Sequence, residues 1–183
     1  MRTLFLAPGS ALFVVLAAGC SSMPPMSAPM VDNASLPEAV RVPAGHRQTM
    51  HTVGRGEITY ECRAKKDMPT AFEWAFVAPV ATLADAGGRS VGRYYAGPTW
   101  EAADGSKVTG KQVAVAPAAA GSIPLQLVKA EPAMGMGAMQ GVAYIQRLKT
   151  QGGVAPAEAC DAAKALQRRQ VAYQADYVFY AMN

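Results

Sequence analysis

Histidine is nearly missing from this chain. His46 and His51 are its only two imidazoles, and neither has a carboxylate or thiolate at ligand spacing, so a metal centre built on imidazole has little to draw on. Both read as solvated loop histidines, and the metal expectation is none. Charge is also sparse: 16% of residues are charged and the net charge is +4, with Lys65-Lys66 and Arg168-Arg169 as the only basic pairs. A nucleic-acid binder needs a basic stripe, so that class of partner is set aside. No Gly-x-Ser-x-Gly elbow is present to support a Ser-His-Asp hydrolase. Gly135-x-Gly137 with Gly141 misses the dinucleotide fingerprint and has no βα unit around it. No cofactor is expected.

No apolar run is long enough to cross a bilayer as a helix. The run from Leu4 to Ala18, preceded by Arg2, has the length and flanks of an export signal. It ends Leu16-Ala17-Ala18-Gly19-Cys20. Small residues before a cysteine resemble a bacterial lipoprotein signal, with residues 1–19 removed and Cys20 acylated. The leucine stands four residues before the cysteine rather than three, and a plain secretory signal is the alternative. Residues 20–35 follow as a Pro-, Ser- and Met-rich tether, whose prolines deny backbone donors; it reaches roughly 20–50 Å. Ser21 after the cysteine, rather than Asp, resembles the outer-membrane sorting pattern of enteric bacteria. The expected location is the bacterial envelope, lipid-anchored to the outer membrane and facing the periplasm.

Residues 36–183 are enough for one domain with a real core, and a hydrophobic content of 51% makes it globular. Of three cysteines, lipidation consumes Cys20. Cys62 and Cys160 remain, and in an oxidising envelope they most simply pair; two buried free thiols are the alternative.

Period-two alternation dominates the domain. In 57–63, Ile58, Tyr60 and Cys62 share a face opposite Glu57, Thr59, Glu61 and Arg63. Phe72, Trp74 and Phe76 repeat the pattern. Segments 111–115 and 123–128 do so more weakly, with Pro124 marking an irregular or edge start. Segment 142–149 is a strand with two mixed faces. In 171–180, Val171, Tyr173, Ala175, Tyr177 and Phe179 oppose Gln174, Asp176 and Tyr180. Six or more strands with turn residues between them predict an all-β fold, an antiparallel sandwich or barrel. One short helix is expected over 156–167: Pro156 suits a first position, and Cys160, Ala163 and Leu166 or Gln167 recur at helical spacing. The disulfide would tether this helix near the C-terminus to the strand bearing Cys62.

The stretch 92–110 gathers Tyr94, Tyr95, Trp100, Glu101 and Asp104 around the turn dipeptides Gly97-Pro98 and Asp104-Gly105. A polar, aromatic loop on a sheet is a common mount for binding groups, and these five residues are the candidate ligand-binding set. An ordinary hairpin tipped by Asp104-Gly105 is the plainer alternative. Trp100 beside the carboxyls of Glu101 and Asp104 would raise a carboxyl pKa toward general-acid range, which gives a hydrolase as the competing function. Methionine supplies a third reading. Met23, Met26 and Met30 in the tether, and Met134, Met136 and Met139 in the Gly-rich loop 132–141, are soft donors that suit Cu(I), or adaptable apolar filler.

Taken in order, Tyr60-x-Cys62, Trp74-x-Phe76, Gly97-Pro98-Thr99-Trp100-Glu101, Asp104-Gly105-Ser106, Ile123-Pro124, Tyr144-Ile145-Gln146-Arg147-Leu148, Gly152-Gly153-x-x-Pro156 and Tyr173-x-Ala175-Asp176-Tyr177 resemble the domain of unknown function 3455 family from about Val40 to the C-terminus. The resemblance implies an exported protein and no agreed activity. It places Cys62 and Cys160 on cysteines that look paired in the family. Relatives often carry His at the position of Tyr94 and Trp at that of Leu125, so any chemistry of that His is lost here. The leading expectation is a non-catalytic, lipid-anchored envelope domain binding a small molecule, a glycan or an envelope protein through 92–110.

Labelled fatty acid is expected to enter the exported protein and to be lost in Cys20→Ala. A mature chain that is cleaved but carries no lipid would remove the anchor.

Overall fold

The computed structural model describes residues 29–183; the expected export signal, Cys20, Met23 and Met26 lie outside them. Eight antiparallel strands follow one another in sequence and close into a barrel. They are β1 (His46–Lys65), β2 (Met68–Ala84), β3 (Ser90–Tyr95), β4 (Thr99–Ala102), β5 (Lys107–Ala116), β6 (Leu125–Ala130), β7 (Val142–Gly152) and β8 (Arg168–Met182). Each strand pairs with the next, and β8 returns to β1, with His46 opposite Met182 and Glu61 opposite Arg168. Among the described residues no helix is long and apolar enough to cross a membrane.

The alternation seen in the sequence sorts inside from outside. Ile58, Tyr60, Tyr173, Ala175, Tyr177 and Phe179 are buried in the barrel interior. The outer face of β7 and β8 is buried as well. Leu148, Val178 and Tyr180 form a second cluster with Val40 and Val42, and Val31 and Leu36 pack against it. Residues 31–42, with the 3₁₀ turns Asn33–Ser35 and Glu38–Val40, therefore strap the outer wall. At the strap's centre Gln146 is fully buried and satisfied. It donates to the Val40 carbonyl at 2.6 Å and to Asn33 Oδ1 at 3.0 Å, and accepts from the Tyr180 hydroxyl at 2.8 Å. The mixed outer face of β7 thus has a cause: Gln146 is inside a second core.

In β2 the alternation changes phase. Tyr60 pairs with Phe76 and Thr59 with Ala78, so Val77 is an extra residue, a bulge that bends the strand. Before it Phe76 faces inward against Tyr60, with ring centroids 6.2 Å apart. After it Ala81 and Leu83 take the inward positions.

The expected helix over 156–167 does not form. Among the described residues of that segment only Ala162–Lys164 makes a single 3₁₀ turn, capped by Asp161. Most helical stability comes from burying an apolar face, and here Ala157, Ala159, Ala162, Ala163 and Leu166 are all exposed. The chain instead pairs with β1: Leu166 N–H donates to the Cys62 carbonyl at 2.8 Å, and Cys62 N–H donates to the Gln167 carbonyl at 2.9 Å. Leu166 reaches this position with φ of 66°, a left-handed conformation that interrupts a helix. Cys62 and Cys160 are disulfide-bonded, with Cα atoms 5.6 Å apart. The bridge tethers an extended loop, not a helix, to β1.

That bridge closes a loop across a sequence separation of 98 residues, for which loop entropy lost from the unfolded chain stabilises by roughly 4–5 kcal/mol. Cys160→Ser is expected to lower unfolding free energy by about 2–5 kcal/mol in urea titration; an unchanged midpoint would show that the bridge does not hold the fold.

Candidate functional site

The barrel's two ends differ. At one end the loop 131–141 folds across the opening and inserts Met139, 1% exposed, into the core. Asp104 holds this plug. Its carboxylate accepts from Ser106 N–H at 2.9 Å, Ser106 Oγ at 2.6 Å and Ala138 N–H at 2.8 Å, while Met139 N–H donates to Ser106 Oγ at 3.1 Å. Gly137 (φ 145°) faces the same carboxylate, and a side chain there would collide with it. Above the plug Trp100 packs against Tyr94, Tyr177 and Phe179, with centroids 4.9, 5.8 and 6.5 Å away. The buried Trp100 indole N–H has no hydrogen-bond partner among the described residues.

The other end is open. Between the β3–β4 turn and the β5–β6 loop lies a cavity of about 410 Å³, inside the size range of small-molecule sites. Its walls come from opposite sides of the barrel: Ile58 and Tyr60 of β1, Phe76 of β2, Tyr94 of β3, and Val128 of β6 among others. Gln112, Gln126 and Arg147 supply polar side chains. Gln126 Nε2 donates to Gln112 Oε1 at 2.6 Å, and the Tyr60 hydroxyl donates to the Gly153 carbonyl at 2.8 Å. No Asp, Glu, His, Ser, Thr or Cys is among its lining residues.

The five residues singled out in 92–110 are dealt to three places by the pleat. Tyr94 faces inward and lines the cavity, Trp100 lies beneath it, and Asp104 sits at the opposite, plugged end. Tyr95 and Glu101 face out. Glu101 accepts from the Tyr95 hydroxyl at 2.7 Å and from Arg93 Nη2 at 2.9 Å, with Lys107 Nζ at 3.2 Å. These three donors, Tyr95 first, hold its carboxyl down at about 2. Asp104 is also below the ordinary range, through Ser106 and the Ala138 N–H. The pKa-raising neighbourhood expected from Trp100 is absent, because adjacent strand residues point to opposite faces and Trp100 turns inward while Glu101 turns out. Both carboxyls are ionised acceptors, unsuited to general-acid catalysis near neutral pH. Of the loop methionines, Met139 is core filler, and Met134 and Met136 are exposed. Among the described residues no three His, Cys, Asp or Glu side chains converge as a metal would need.

The histidines are not solvated loop residues as expected: both lie on β1. His46 packs edge-on against Tyr144 at 4.9 Å. His51 is buried, its side chain 4% exposed. His51 Nε2 meets Asp176 Oδ2 at 2.9 Å, and Nδ1 meets the Pro29 carbonyl at 3.1 Å. Lys149 Nζ approaches the same Asp176 oxygen at 3.4 Å. Both ring nitrogens face acceptors, so only the doubly protonated ring satisfies both. Nothing local in sequence foretold this pair, whose members are 125 residues apart.

The described residues thus form an antiparallel eight-stranded barrel that is plugged at one end and hollow at the other. The chain belongs to the family described as "Protein of unknown function (DUF3455)", whose model matches residues 43–181. No curated protein and no solved structure matches the chain.

The hydrogen bond that His51 donates to Asp176, against the cost of burial, raises the His51 pKa above its ordinary 6.5. Burial pushes Asp176 up, but the His51 hydrogen bond and the charges of His51 and Lys149 outweigh it and bring Asp176 below 3.8. The histidine's contribution is complete below pH 6.5 and is lost as pH rises through the raised folded value; the aspartate's is present above pH 3.8 and is lost as pH falls through the lowered one. Urea midpoints measured across pH should therefore fall on the alkaline side of 6.5, and His51→Gln should flatten that limb. A variant with the same alkaline slope as the parent would assign the loss to another group.

Proposed function

We propose that this protein is an exported, lipid-anchored domain of the bacterial envelope that holds a small, largely apolar molecule in the open end of its barrel and does not transform it. The cavity of about 410 Å³ inside an otherwise packed barrel carries this reading. The lining offers apolar and aromatic walls with few polar groups, the usual make-up of a ligand pocket. Its described lining holds no Ser, Thr, Cys, Asp, Glu or His. The candidate loop contributes through Tyr94 and through the rim turn Gly97-Pro98, while its acidic members stabilise other surfaces. The tether supports the same reading. Residues 31–42 pack on the outer wall, and none of the described residues 29–42 lines the cavity.

Nile red, a neutral solvatochromic dye, is expected to bind the mature protein one-to-one with a blue-shifted emission. Gln126→Trp, which fills the mouth from an inward position, should reduce that binding at least tenfold without changing the melting temperature. Equal binding by the two proteins would move the dye to another surface and sink the container reading.

A further inference from the structure

Among the described residues Arg147 is the only charged side chain lining the cavity. It sits two residues beyond the fully buried, inward Ile145 on β7, hence on the same face of the strand. Its Nε and Nη2 both donate to the Pro124 carbonyl, at 3.2 and 3.0 Å, which fixes the plane of the guanidinium at the rim of the mouth. A guanidinium carries five N–H donors, so this grip leaves most of them available. None of the ion pairs among the described residues includes Arg147. Its charge reaches into the barrel: burial pushes up the hydroxyls of Tyr60, Tyr94, Tyr173 and Tyr177, and Arg147 pulls against that push at each one.

Resting on the container reading above, we propose that the cavity selects an amphipathic anion, a small molecule with an apolar body and a single carboxylate, and that Arg147 is the residue that determines this specificity. The apolar body lies against Ile58, Phe76, Tyr94 and Val128, and the carboxylate meets the fixed fork of Arg147. A planar guanidinium matches a carboxylate through paired, charge-assisted hydrogen bonds. A neutral ligand in the same place strips water from the guanidinium and returns no counter-charge, which is costly. A cationic one adds repulsion. The cavity's volume fits one small molecule and excludes a two-chain phospholipid.

The test is displacement of Nile red from the mature full chain by three ten-carbon probes used below their aggregation limits: decanoate, decanol and decylammonium. Decanoate should displace at least tenfold more tightly than decanol, with decylammonium weakest. In Arg147→Gln, decanoate should fall to within about twofold of decanol while decanol itself is unchanged, and Arg147→Lys should keep part of the preference. Equal displacement by decanoate and decanol in the wild-type protein overturns the charge inference and leaves the container reading standing, and it does so whether or not the variants fold. No displacement by any of the three, with no Nile red binding, defeats the container reading itself. Uptake of phosphatidylglycerol from vesicles in place of decanoate binding would overturn the assignment to a free small acid.

Discussion

Pairing of the first strand with the last is the constraint on which the rest depends. β1 is 20 residues long and pairs with β2 along one edge and β8 along the other. A barrel that fails to make the second pairing exposes two unpaired edges and opens its core to water. The contact is also the most distant in sequence, so closing it costs chain entropy that local contacts cannot offset. The side-chain chemistry concentrates on this seam. The disulfide joins β1 to the approach of β8, Arg168 pairs with Glu61 at 2.6 Å, Arg55 donates to Gln174 at 2.7 Å, and His51 meets Asp176. Four different interactions brace one strand pair, and three of them involve polar groups on the outer wall, where they do not intrude on the core.

Closure creates an inside, and the residues that fill it decide what the inside is for. Trp100, Tyr177, Phe179 and Met139 are each at most 1% exposed and occupy the plugged half. Toward the mouth the inward positions include Gly110, Gln112 and Gln126, which are too small or too polar to complete an apolar core. An eight-stranded barrel is just wide enough either to be filled by side chains or to hold one small ligand; this one does the first at one end and leaves room for the second at the other.

Charge is partitioned by the same wall. The carboxyls of Glu61, Asp85, Glu101, Asp104 and Asp176 all lie below their ordinary values, and each is engaged with cations or backbone donors outside the cavity. The cavity itself keeps one guanidinium. Such a separation makes the mouth a local positive focus in a low-dielectric surround although the chain's net charge is only +4.

Parts of six of the eight strands, with the inward face of Cys62, were legible because a strand's period of two is a local property, readable wherever one face is buried; the short β3 and β4, inside 92–110, were read as a loop. Ile58-Tyr60 and the Tyr173-to-Phe179 series needed no knowledge of their partners. The expectation of an export signal over residues 1–19 is equally local, since it rests on adjacent residues alone. What misled was local pattern without a partner: Cys160, Ala163 and Leu166, at helical spacing in 156–167, found no surface on which to bury a helical face, and backbone pairing with Cys62 was available instead. The bulge at Val77, the strap that buries Gln146, the pairing of His51 with Asp176 and the cavity around Arg147 have no local signature at all. Each depends on which strand lies next to which, and that was decided only when the sheet closed. The sequence by itself determined which residues alternate; the tertiary structure decided which alternating faces enclose empty space and which charge looks into it, because enclosure is a property of the closed barrel and of no single strand.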